Sequence, residues 1–214
     1  MKHIILLGPQ GSGKGTQAQF LKKKFRLTHI EMGAILRAAA GKPTPLGKRI
    51  HRIINTQGAL LPDKLVNALL ENAVQGVARQ RGIVFDGFPR TIQQAKTLNV
   101  ILKKYGRVLT HVIYMPLSQR TTVLRLSKRR TCTSCGTAWI LGKNIASDRT
   151  KCPRCGGLVI QRKDDTPTII RKRLREYLHK TLPIVSWYKK MDIVMEVNGE
   201  QSVRTVWGHI LRHL

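Results

Sequence analysis

GPQGSGKGT, Gly8 to Thr16, decides how this chain is read, because it follows the apolar run Ile4 to Leu7 and precedes a helical pattern. Its four glycines let backbone N–H groups converge on phosphate oxygens without a Cβ clash. The dipole of the following helix adds attraction, and Lys14 supplies a mobile cation. The stretch reads as a nucleotide phosphate cradle. In the generic pattern a Ser or Thr directly after the lysine holds Mg2+. Here Gly15 takes that position and Thr16 follows it, so magnesium must be held differently.

Outward from this loop, apolar runs at residues 3–7, 83–86, 111–115 and 193–197 read as strands. They alternate with helical periodicity at 14–24, 32–39, 62–79, 91–104, 118–129, 168–190 and 202–213. This βα repetition predicts an α/β fold with a parallel sheet covered on both faces and ligands at the carboxyl ends of its strands. Residues 32–61, helical without an intervening strand, and residues 130–164, rich in Cys, Gly and Thr, interrupt the rhythm and read as insertions.

Composition narrows the classes further. At 214 residues and 42% hydrophobic, the chain can bury a substantial core. No apolar run approaches the ~20 residues needed to span a bilayer, and MKHIILLG reads as a strand entering the loop rather than a signal peptide. A cytoplasmic protein without a membrane partner is expected. The 39 Lys and Arg against 11 Asp and Glu leave a net charge of +28, more than one nucleotide site requires. A solvated basic surface and nonspecific affinity for nucleic acid both fit that excess.

All four cysteines fall in the second insertion, as CTSCG (Cys132, Cys135) and CPRCGG (Cys152, Cys155), with sixteen residues between the pairs. Two CxxC turns, each followed by a glycine, can bring four thiolates around one Zn2+. A reducing compartment disfavours disulfides, and a redox CxxC does not come as two matched knuckles. Four sulfur ligands close the coordination shell, so the zinc is expected to be structural, stapling a segment too short for a core of its own.

GIVFDGFPR, Gly82 to Arg90, ends an apolar strand on Asp86, at the same sheet end as the phosphate loop. A carboxylate there can accept hydrogen bonds from waters of a nucleotide-bound Mg2+, and Arg90 can fork onto a phosphate. Arg125, Arg129, Arg162, Arg171 and Arg173 cluster near the insertion boundaries. Converging guanidiniums supply the positioning and charge stabilisation that phosphoryl transfer demands.

GPQGSGKGTQA, LRAA from Leu36, DGFPRT from Asp86, KRRTC with its four cysteines, QRKDD and RKRL through Leu174 together resemble the adenylate kinase family, in its long-lid form with a zinc-binding lid, along essentially the whole chain. The resemblance implies a phosphate-loop NTPase-type sheet of five parallel strands flanked by helices, with core segments at 1–31, 62–123 and 165–214. It implies an AMP-binding segment at 32–61 and a zinc-ribbon lid at 124–164. The implied reaction is reversible transfer of the γ-phosphoryl group from Mg·ATP to AMP, giving two ADP, in a monomer. Lid closure keeps water from the transferring group.

Carried over residue by residue, the resemblance assigns Gly11, Ser12, Gly13, Lys14, Gly15, Thr16, Arg125 and Arg129 to ATP. It assigns Met32, Arg37, Leu61, Gly87, Arg90, Gln94, Arg162 and Arg173 to AMP. Lys14, Arg90, Arg129, Arg162 and Arg173 are the implied catalytic set, with Asp86 on the magnesium waters and Cys132, Cys135, Cys152 and Cys155 on zinc. The chain departs from the family pattern at Glu31, Met32, Gly33 and Ala34, where the family usually reads Ser-Thr-Gly-Asp. The departure touches acceptor specificity and leaves Asp86 to hold magnesium alone among the carboxylates. Lys128 replaces a glycine before the paired arginines, which bears on lid motion, and Gln93 replaces a proline. A kinase for another nucleoside monophosphate, or a basic zinc ribbon that binds nucleic acid, are the competing readings.

Overall fold

HIILL, the whole of β1 (His3–Leu7), is buried at every position, and the centre of a parallel sheet with helices on both faces is where such a strand belongs. A computed structural model, which describes residues 1–57, 60–147, 150–162 and 165–214 and leaves aside the side chains of 55–57, puts it there. The chain continues through α1 (Lys14–Phe25), β2 (Thr28–Glu31), α2 (Met32–Ala40), α3 (Pro45–His51), a π-helical turn (Arg52–Gln57), α4 (Asp63–Gln75), β3 (Ile83–Asp86), α5 (Ile92–Lys104) and β4 (His111–Tyr114). Then come α6 (Gln119–Ser127), β5 (Arg129–Cys132), β6 (Ala138–Ile140), β7 (Val159–Ile160), α7 (Pro167–Glu176), a second π-helical turn (Tyr177–Thr181), α8 (Leu182–Lys189), β8 (Val194–Glu196) and α9 (Val203–Arg212).

The main sheet is parallel throughout, in the order β2-β3-β1-β4-β8. β1 lies between β3 and β4, and the chain crosses from one side of β1 to the other between those two strands, which opens a crevice at the carboxyl end of β1. Alternation along β1 sorts its side chains between two cores. Ile5 and Leu7 join Ile30, Phe85, Val112, Leu70, Leu98 and Tyr188 on one face. Ile4 and Leu6 join Ala18, Leu21, Val84, Ile113 and Ile210 on the other. A second, antiparallel sheet, β6-β5-β7, forms within the cysteine-bearing insertion.

Five strands are therefore present where apolar runs alone mark four. β2 escapes that test because THIE, an edge strand of the sheet, buries only Ile30. The helical pattern at 168–190 is broken in the structure by the π-helical turn Tyr177–Thr181, after which Pro183 sits in the first turn of α8. The pattern at 118–129 stops at Ser127, so that Arg129 opens a strand instead. Lys128 caps α6 at φ −90°, an ordinary right-handed conformation that does not call for glycine. Gly58 and Ala59 of the first insertion, and Lys163 and Asp164 of QRKDD, lie outside the described residues.

Some of the excess arginine is structural. Arg107 is buried and donates to the carbonyls of Val77, Ala78 and Arg81 (2.6–3.0 Å), closing the segment after α4. Burial pushes its pKa down, the cost of holding a cation there.

Candidate active site and metal centre

Gly8 leaves β1 at φ 146°, and a Cβ on it would collide with the carbonyl oxygen of Met115. Gly13 caps α1 in the left-handed region, at φ 96°. At these two positions the loop requires glycine. The first turn of α1 carries no acidic residue, so the positive end of its dipole is uncompensated. Lys14, the first residue of α1, lays its Nζ back along the loop, donating to the carbonyls of Gly8 (2.8 Å) and Pro9 (2.7 Å). Gly15 faces the buried Asp86: a Cβ there would stand 3.4 Å from Asp86 Oδ2. The position that holds a metal-binding hydroxyl in the generic loop is thus taken up by close approach of the β3 carboxylate.

The electrostatics of this crevice are those of crowded cations. Burial pushes the Lys14 pKa down to about 8; Asp86 opposes the shift, while Arg90, Arg129 and Arg173 add to it. Burial likewise pushes Arg90 down to about 10, with Arg173, Arg162 and Arg37 adding and Asp86 opposing. Five arginines from distant parts of the chain therefore share one field with Lys14 and the buried carboxylate of Asp86. Such an arrangement is unfavourable until a polyanion enters it.

Arg37, Arg90, Arg125 and Arg129 are also aimed by the backbone or by a carboxylate. Arg90 Nε donates to the Gly87 carbonyl at 2.9 Å. Its backbone N–H donates to Gln94 Oε1 at 2.8 Å, and Thr181 Oγ1 in the π-helical turn donates to its carbonyl at 3.0 Å. Arg129 makes a two-pronged ion pair with the fully buried Asp165, at 2.7 and 2.6 Å. Arg125 donates to the carbonyls of Gly11 (3.1 Å), Gly199 (3.0 Å) and Glu200 (3.3 Å), tying the phosphate loop to the segment between β8 and α9. Arg37 pairs with Glu31 at 2.7 Å.

Other residues singled out by sequence take different places. Met32 and Leu61 are buried in the core, so their side chains act through packing. Gln94, also buried, spends its amide on the Arg90 backbone and on Asp63 Oδ1 (2.6 Å). Asp63, Asp165 and His29 were not singled out. Asp63 accepts from both Thr91 (3.2 Å) and Gln94, joining the starts of α4 and α5. His29 Nε2 stands 3.8 Å from Asp86 Oδ2. Asp165 could have been suspected from the paired acids of QRKDD, whereas the other two have no local signature.

The four cysteines, all free thiols, meet in the second insertion. Their Sγ atoms lie within 4.8 Å of one another. Cys132 and Cys155 stand 3.5 Å apart, and Cys135 and Cys152 3.8 Å. Sulfur ligands about 2.3 Å from a tetrahedral zinc are about 3.8 Å apart, so the set fits that ion. The two turns match: Gly136 N–H donates to the Cys132 carbonyl (3.1 Å) and Gly156 N–H to that of Cys152 (2.8 Å), both glycines being left-handed. The thiols act as a linked set: hydrogen bonding with Thr137 pulls Cys135 down to about 6, while hydrogen bonding with the other sulfurs pushes Cys155 up to about 11. Ile145, Val159, Trp139 and Leu141 pack around the cluster.

A phosphate loop at the crevice of a parallel sheet, a buried carboxylate beside its lysine, and arginines converging from both insertions define a phosphotransferase of the phosphate-loop class. The family model for adenylate kinase matches residues 6–193. The adenylate kinase of Fervidobacterium nodosum is 40% identical over 204 residues, covering 95% of this chain and 93% of that protein. That of Clostridium botulinum is 38% identical over 207 residues (97% and 95%), and that of Kosmotoga olearia 37% over 212 (99% and 98%). The chain belongs to the adenylate kinase family.

Proposed function

We propose that this chain transfers the γ-phosphoryl group of ATP to AMP, reversibly, giving two ADP. The observation that carries the reading is the gathering of Lys14, Arg90, Arg129, Arg162 and Arg173 into one field at the carboxyl end of β1. Phosphoryl transfer asks for in-line positioning and for charge to be met where it develops, and this set supplies both without a covalent intermediate. The loop residues Gly11 to Thr16, with Arg125 and Arg129, hold the donor. Arg37, Gly87 and Arg90 seat the acceptor phosphate, and the second amide hydrogen of Gln94 is left for its base. In this reading residues 32–61 form the acceptor segment and 124–164 the lid.

Magnesium would arrive with ATP and neutralise part of its charge. Asp86, buried and close to Gly15, is the side chain fit to receive its waters. Zinc on Cys132, Cys135, Cys152 and Cys155 would give the lid its fold and take no part in transfer. The protein is proposed to act as a cytoplasmic monomer. Among the described residues no helix is long and apolar enough to cross a membrane.

Turnover of Mg·ATP with a panel of nucleoside monophosphates tests the reading on zinc-loaded protein freed of nucleic acid in high salt. Rapid ADP formation with AMP is expected. A clear preference for UMP, CMP or GMP would replace the acceptor, and binding of ATP without transfer would remove the kinase. Trp139, the one aromatic residue of the lid insertion, is packed against the cysteine cluster, which counts against the lid as a stacking platform for bases.

A further inference from the structure

Glu31 is the last residue of β2, paired in register with Asp86 of β3, so its carboxylate enters at the sheet end where the phosphates are proposed to lie. It precedes α2 as the N-cap residue yet makes no capping hydrogen bond with its side chain. Helix capping therefore does not account for its carboxylate. Oε1 instead accepts from Arg37 Nη2 at 2.7 Å.

The guanidinium reaches Glu31 by folding back over Gly33, where a Cβ would lie 2.9 Å from Arg37 Nη1. Gly33 in turn faces Gly87: a Cβ on Gly87 would lie 3.9 Å from the Gly33 nitrogen and 3.6 Å from Arg90 Nη2. Arg37 is near enough to help depress the Arg90 pKa. The two guanidiniums proposed to clamp the acceptor phosphate thus border one small space, and a carboxylate of the protein's own is bound at its edge.

We propose that Glu31 is a specificity-determining residue, an internal anion that engages Arg37 and that an acceptor phosphate must displace. This rests on the acceptor-site assignment above. The pair is accessible, with side chains 42% and 40% exposed, so it is weak enough to yield to a phosphate. The displaced carboxylate stays nearby and repels the incoming dianion. Glu31 therefore lowers acceptor affinity without touching the donor side, where Lys14 and Arg125 lie.

The test compares Glu31→Gln and Glu31→Ser with wild type, reading AMP KM and kcat at saturating ATP, ATP KM, and AMP affinity by calorimetry. Both variants are expected to bind AMP about two- to fivefold more tightly, with kcat and ATP KM unchanged, and the gain should shrink at high salt. In an Arg37→Ala background Glu31→Gln should give a smaller gain, the part that comes from lost repulsion alone. An AMP KM that stays constant or rises in both variants overturns the proposal; a rise would show that Glu31 holds Arg37 in place. Wild-type turnover with AMP reads the kinase assignment independently, so a protein that fails there fails for a different reason.

Discussion

The central sheet and the cysteine lid reach order by different physics. Around β1, Ile4, Ile5, Val84, Phe85, Val112 and Ile113 are all fully buried, and two separate apolar clusters clamp the sheet from either face. In the cysteine-bearing insertion, residues 130–164, Ile145 and Val159 are the buried aliphatics among the described residues, and two buried cysteines complete the cluster. Apolar area is ample to hold the first and too small to hold the second. The core can therefore tolerate like charges at its rim, while the integrity of the insertion depends on its sulfur cluster. Arg129, which opens the sheet of this insertion, also contributes to the field at Lys14, so the two kinds of stability meet at the rim of the crevice.

The largest effect should come from removing the metal expected on the four thiolates. Structural zinc sites contribute about 10–16 kcal/mol of apparent binding free energy, which becomes folding free energy where no other core exists. Chelation, or Cys152→Ser, should unfold the lid and shift the emission of Trp139 while the core still melts cooperatively. A lid that keeps its fold and its Trp139 environment without metal would erase the contrast. Next in size, Lys14→Ala should cost about 10²–10³ in kcat with the core fold and zinc content intact, since one preorganised charge at the reacting group is removed. Near-native transfer by that variant would mean the chemistry lies elsewhere.

Asp165→Asn acts at the junction of the two regions. Asp165 is fully buried and holds Arg129 with two hydrogen bonds, so its loss leaves a guanidinium only 17% exposed without its counter-charge. Breaking a buried pair from one side costs about 3 kcal/mol or more. The expected result is a lower melting temperature and reduced turnover, with zinc stoichiometry unchanged. An unaltered melting temperature would show that the pair contributes nothing to joining lid and core.

The features legible in the sequence are those whose chemistry is local. GPQGSGKGT carries its own turn geometry, each CxxC knuckle brings its glycine, and Asp86 ends an apolar run that could only be a buried strand. β2 was hidden because THIE offers one buried side chain, and its identity as a strand comes from Ile83–Asp86 lying alongside it. The long-range pairs were hidden for the same reason. Nothing near Arg129 announces Asp165, nothing near Gln94 announces Asp63, and nothing near Arg107 announces the carbonyls after α4. In a chain with so many arginines, the sequence shows which ones could converge. Only the fold separates the structural Arg107 from the cluster at Lys14.

The smallest effect is the sharpest test of how lid and core cooperate, because it reads the field at Lys14 directly. Burial, with the neighbouring arginines, holds the folded-state pKa of Lys14 down at about 8, below the ordinary lysine value of 10.5. Between those values the folded state binds fewer protons than the unfolded chain, so this group makes stability rise with pH across that window. Polyphosphate binding has the opposite demand: its charge favours the ammonium, so above pH 8 binding must take up a proton and affinity must fall as pH rises, by at most about tenfold per unit. Calorimetry with ATP at a pH of about 8.5, in two buffers of different ionisation enthalpy, measures that proton. Uptake that is absent would mean that burial and the surrounding cations do not depress Lys14. Because Arg129 is one of the charges that depress it, metal-stripped protein should take up a smaller fraction of a proton than zinc-loaded protein. Equal uptake by the two would show that the core alone sets the field and that the lid brings no charge to it.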